Sequence, residues 1–186
     1  GARPRLAYLS PMPPAASGIA DYSAELLPAL AEHYQIDLVL NQPELAEHLA
    51  QTCVVRDAAW FDAHAGDYDR VLYHFGNSPF HAHMVGLLRR HPGTVVLHDF
   101  YVGHLFGFVQ HSGMLPQALR RALFRSHGYA ALAMHREQGE AAALDAYPCN
   151  LEVFAQAAGV IVHSRHAEQL ARRWYGENLP CPLDVV

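Results

Sequence analysis

Short apolar runs alternate along this chain with longer stretches of helical period. Residues 5–9, 36–40, 70–74, 94–98 and 159–163 are brief, rich in β-branched, aromatic and leucine side chains, and bounded by Gly, Pro, Asn or Asp, a pattern that predicts strands. A further short strand is expected near Val54, and another over residues 183–186. Between them, Ile19, Tyr22, Leu26, Leu27 and Leu30 form a one-sided stripe, with Ser17 or Asp21 available as its cap. Residues 43–51 and 166–175 read as helices, and so does a segment whose core side is Met84, Val85, Leu87 and Leu88. Residues 100–158 read as a mostly helical region broken by Gly113, Pro116, Gly128 and Pro148.

This order predicts an α/β, Rossmann-like, doubly wound domain. Its sheet is mostly parallel, helices lie on both faces, and a helical stretch follows the strand that ends in His98-Asp99. Ligands are expected beyond the C-terminal ends of such strands.

Composition narrows the function. The 186 residues suit one domain, and 51% hydrophobic with 17% charged residues describes an ordinary globular chain. A formal charge of -5 argues against nucleic acid as a partner, because phosphate binding needs a basic excess. All 13 basic residues are Arg, which excludes Schiff-base and P-loop lysine chemistry. Cys53, Cys149 and Cys181 form neither a disulfide framework nor a zinc pattern, and read as packing thiols in a cytoplasmic protein. No signal segment and no apolar run of membrane-spanning length is visible.

Three segments could carry chemistry. The loop from Ser10 to Gly18 joins a strand to a helix, so free backbone N–H groups at the helix start could meet a phosphate at Ser17 and Gly18. It is not a GxGxxG fingerprint, and a purely structural crossover is the rival reading. Residues 73–81 interleave Phe75 and Phe80 with His74, Gly76, Asn77 and His81, a mixture suited to a sugar. Against this, Asn77 or Ser78 could simply cap the next helix. His98-Asp99 ends an apolar strand, where Asp99 could orient the imidazole.

Other chemistries fit less well. The His spacings match no familiar zinc site, and no G-x-S-x-G elbow is present. Leu115, Leu119, Ala122 and Leu123 share a helical face, while Arg120, Arg121 and Arg125 point elsewhere. Such a helix could rest on an anionic membrane or present a solvated surface.

Four segments in order carry a family resemblance. They are Leu9-Ser10-Pro11-Met12-Pro13-Pro14 with Ser17-Gly18-Ile19-Ala20-Asp21-Tyr22, the stretch from His74 to His81, Leu97-His98-Asp99-Phe100, and Val160-Ile161-Val162-His163-Ser164. Together they resemble the N-terminal domain of retaining glycosyltransferases with the GT-B fold, the group called glycosyltransferase family 4. The resemblance spans nearly the whole chain. It implies that residues 1–186 are an acceptor-side domain, facing a nucleotide-sugar-binding domain that lies outside this sequence. It implies no cofactor and no metal, a nucleotide-sugar donor, and a glycan or lipid-linked acceptor. On the same resemblance Gly18 approaches the donor diphosphate, His98 contacts the donor sugar, and Asp99, Asn77 and His74 line the acceptor side, with Gly76, His81 and Asp21 beside them. The protein would then work in the cytoplasm, with peripheral contact at the inner face of the membrane, and this domain alone would be inactive. A stand-alone Rossmann-like module for a nucleotide or sugar phosphate is the rival.

Overall fold

A computed structural model describes residues 1–186. Seven strands form one sheet in the order β3-β2-β1-β4-β5-β6-β7: β1 Arg5–Leu9, β2 Gln35–Leu40, β3 Val54–Asp57, β4 Arg70–Phe75, β5 Thr94–Leu97, β6 Gly159–Val162 and β7 Leu183–Val185. Every pairing is parallel, including those at both edges. The order runs outward from β1 in one direction and from β4 in the other. The fold therefore has the topological switch point of a doubly wound Rossmann sheet between β1 and β4.

Right-handed crossovers dictate which helices cover which face. α1 Gly18–Ala31 and α2 Glu47–Thr52 follow strands that step toward β3, and they cover one face. α3 Ala58–His64, α4 Ala82–Arg90 and α10 Arg165–Tyr175 follow strands that step the other way, and they cover the opposite face. α3 falls within no helix that the periodicity predicts. The expected helical stretch between β5 and β6 consists of α5 Gly103–His111, α6 Ala118–His127, α7 Tyr129–Gln138, α8 Glu140–Ala146 and α9 Leu151–Gln156. Gly128 and Gly139 both stand at positive φ where these helices turn, and Gly139 is a break that composition alone did not single out.

The pleat sorts strand residues into two cores. Leu6, Tyr8, Leu38 and Leu40 pack with Met12, Leu27 and Leu49 under α1 and α2. Ala7, Leu9, Val39, Tyr73, Phe75, Val95, Leu97, Val160 and Val162 join the larger cluster under the other helices. Tyr8 and Tyr73 are fully buried, and each hydroxyl donates to a backbone carbonyl, Ser23 O at 3.3 Å and His91 O at 2.6 Å.

Helix α1 presents a different stripe from the one expected. Ala20, Ser23 and Leu27 are buried, whereas Tyr22 is 38% exposed and stands at the end of the sheet. Ser23 can occupy the buried stripe because its hydroxyl pairs with that of Ser10 at 2.6 Å. On α6, Leu119, Ala122 and Leu123 are buried in the larger core, so that apolar face is not free for a membrane. Arg125 on the same helix bonds Glu152 at 2.8 Å while its side chain stays exposed. No helix is long and apolar enough to cross a membrane.

Candidate functional site

Parallel register brings the ends of β1, β4, β5 and β6 to one rim. β4 and β5 pair His74 with Val96 and Phe75 with Leu97, and β5 and β6 pair Leu97 with Val162. One residue further on, His98 stands beside Gly76 and His163, and its amide donates to Phe75 O at 2.9 Å. Period-2 alternation then aims His74, His98 and His163 to the same face, the one that carries α1.

The three imidazoles form a chain. His74 Nδ1 lies 2.8 Å from His98 Nε2, and His98 Nδ1 lies 3.1 Å from His163 Nε2. Burial grades along it: His74 is fully buried, His98 half-buried and His163 exposed. Tyr22 sets its ring edge-on against His98 and His163, with centroids at 5.0 and 5.3 Å. Burial drives the pKa of His74 down to about 3 and that of His98 to about 4, and the neighbouring imidazoles add to both effects. Both rings are therefore neutral at pH 7. No group of His, Cys, Asp or Glu is arranged to hold a metal ion.

Asp99 does not orient His98. Its Oδ2 accepts the backbone N–H of Asn77 at 2.7 Å, while His74 and His163 hold His98 from either side. Asn77 caps a helix, though not the adjacent one: its Oδ1 accepts the amide of Leu105 in α5 at 3.0 Å. Ser78 makes no capping bond. Gly76 is confined, since a Cβ there would meet Ile19 Cδ1, His81 Nε2 and Asp99 Oδ2. That contact places the start of α1 against the loop after β4.

Ser17 caps α1 through the amide of Ile19 at 3.2 Å. Nothing lies within 4 Å of a Cβ built on Gly18, so the backbone at the helix start is open to approach. Asp21 is exposed in the first turn, where a carboxylate favours the helix dipole. His74 and His81 are fully buried, so their side chains meet protein rather than solvent. His81 Nδ1 donates to His74 O at 2.6 Å.

Sequence reasoning missed what holds the first loop. Gln42 accepts from Met12 N at 3.0 Å and donates to Met12 O at 2.8 Å, so one side chain imitates a strand partner. The signal was a polar residue two places after the end of β2, too common to stand out. A small cavity of about 170 Å³ opens beside this loop, lined by Ser10, Asn41, Gln42, Phe80 and His83 with Pro11 and Pro79. Larger clefts of about 580 and 470 Å³ lie on the helical excursion beside Arg120 and Tyr129, and between α1 and α2. Both are remote from the rim.

No family model matches this sequence, and no curated protein matches it. A solved structure does: Phytolacca americana UGT2 complexed with UDP-2fluoro-glucose and pterostilbene, at 13% identity with a TM-score of 0.50. The match covers 98% of this chain and 53% of that one, so the chain spans about half the length of the solved structure it resembles. At this identity the likeness concerns the fold.

Proposed function

We propose that this chain is the acceptor-side half of a two-domain glycosyltransferase that moves a hexose from a nucleotide sugar to a glycan or lipid-linked acceptor, with retention of configuration. One observation carries the reading. The open helix start at Gly18, the Asn77 loop, His98 and Asp99 meet at the switch-point rim of a Rossmann sheet. The extent of the match, nearly all of this chain against half of a protein solved with a nucleotide sugar, supports a missing partner domain.

In this reading the departing diphosphate is the centre of the chemistry. Charge builds on the leaving phosphate, and the free N–H groups at the start of α1, capped only in part by Ser17, stabilise it. Asp99 lines the acceptor side and the half-buried His98 offers the donor sugar only its ring carbons, while the cavity beside Phe80 and Gln42 receives part of the acceptor. His74, Gly76 and His81 act from below the surface, fixing the loop and the His98 ring. The protein works in the cytoplasm, at the inner face of the membrane when its acceptor is lipid-linked.

The test is transfer of labelled hexose by the full-length gene product, using a panel of nucleotide sugars. Transfer per folded molecule is expected to be lost in Asp99→Ala. A full-length product that binds nucleotide sugars and transfers nothing would instead support a binding module.

A further inference from the structure

Both ring nitrogens of His98 are already engaged, so this side chain has no polar atom left for a ligand. The chain of imidazoles instead delivers a ring nitrogen to the solvent side of the rim at His163 Nδ1. We propose that His163 donates a hydrogen bond from Nδ1 to the diphosphate of the substrate, with its tautomer fixed by the buried end of the chain. This deepens the sugar-nucleotide reading above and depends on it for the identity of the ligand.

A neutral imidazole carries one N–H, so His98 can donate to one neighbour only and must accept from the other. Both bonds therefore run in the same direction, outward or inward. Run outward, each of the three rings carries its proton on Nδ1; run inward, each carries it on Nε2. The inner end decides between them. His74 Nε2 is buried without a partner, and an orphaned buried N–H is rarer in proteins than an under-satisfied acceptor. The outward direction places a lone pair there. It leaves His163 accepting at Nε2 and presenting Nδ1–H to solvent.

Position supplies the ligand. Tyr22, which packs on the His163 ring, lies four residues after Gly18 on α1, a rise of about 6 Å. His163 also precedes Ser164, the cap of α10, and the side chain of Arg165 is 79% exposed just beyond it. Two helix starts thus flank an N–H donor, and the exposed guanidinium that follows it in the chain, paired to Glu168 at 3.3 Å, adds positive charge, a setting for an acceptor-only anion with more than one phosphate.

Long-range proton–nitrogen NMR of the whole chain at pH 7.5 reads the tautomers directly. Nδ1–H is expected at His74, His98 and His163, and Nε2–H at any of the three overturns the chain. Inorganic pyrophosphate should then shift the His163 signals, and sulfate at equal ionic strength should not. An equal response to sulfate, or no response to pyrophosphate, overturns the ligand assignment. His163→Leu should weaken pyrophosphate binding about tenfold, the worth of one such bond. His163→Asn, whose amide stands where Nδ1 stood, should keep most of it. Equal affinity in all three proteins overturns the role of the donor. These readouts need no glycosyl transfer, so a full-length product that fails to transfer sugar would count against the proposed function and leave this result standing.

Discussion

Asp99 Oδ2 accepts the amide of Asn77 at 2.7 Å, closing the gap between the loops that follow β5 and β4. Because Asn77 in turn caps α5 through Leu105, one exposed carboxylate steadies both a loop and a helix start. Asp99→Ala should lower stability by about 1 kcal/mol, the usual worth of such a bond. Asp99→Asn, which keeps an acceptor, should recover most of it. Urea unfolding of the three proteins checks the order.

Gly76 is the tightest position of the rim. Gly76→Ala drives a methyl group into Ile19, His81 and Asp99, and should cost about 1–3 kcal/mol by overpacking. Ile19→Val removes the Cδ1 atom that blocks it, so the double variant should be less destabilised than the sum of the two single changes. Thermal unfolding of the four-member cycle measures the coupling; strict additivity would contradict the contact.

Acid should unfold this protein through its neutral histidines. Burial holds His74 near 3, and His83, His98 and His127 near 4, all below the value of about 6.5 that each takes when unfolded. The unfolded chain therefore binds about one extra proton per such residue as the pH falls from 6.5 toward 4. The stability these groups confer is present above pH 6.5 and is lost through that window. His98 and His127, being more open, contribute less than His74 and His83. Denaturant midpoints at pH 7.5, 6 and 5 should fall in that order, and His74→Phe should flatten the decline.

Glu152 is 4% exposed and accepts from Arg89 and Arg125 at 2.8 Å each, joining α9 to α4 and α6. Glu152→Ala leaves Arg89 largely buried without a counter-charge and should cost about 3–5 kcal/mol. Arg125→Ala should cost under about 1 kcal/mol, because that side chain is 57% exposed. Chemical denaturation of both variants ranks them, and a reversed ranking would show that Arg125 carries the clamp.

His98→Ala removes the middle of the imidazole chain and leaves His74 Nδ1 and His163 Nε2 facing a void. A loss of about 1–3 kcal/mol in stability is expected, and hexose transfer by the full-length protein should fall further than the fraction unfolded explains. Turnover per folded molecule separates the two effects.

The strand residues and the capping Ser17 were legible because their signals are local: two- and 3.6-residue periods and a Ser before an apolar stripe. So was the placement of the Gly18, Asn77 and His98 loops at one edge, which follows once the strands are parallel. Tyr22 misled the helix reading, since an aromatic side chain at the right period looks like core until the sheet is seen to end beneath it.

The order of apolar and polar residues by itself determined that this chain folds as a parallel sheet with helices on both sides and its polar loops at the strand ends. Only the tertiary structure decided that Asn77 caps a helix 28 residues away, that Gln42 clasps Met12, and that His74, His98 and His163 join into one line. Periodicity tells which face a side chain takes, because that depends on its own strand. Its partner depends on the register between strands far apart in the chain, which is fixed by the packing of the whole sheet.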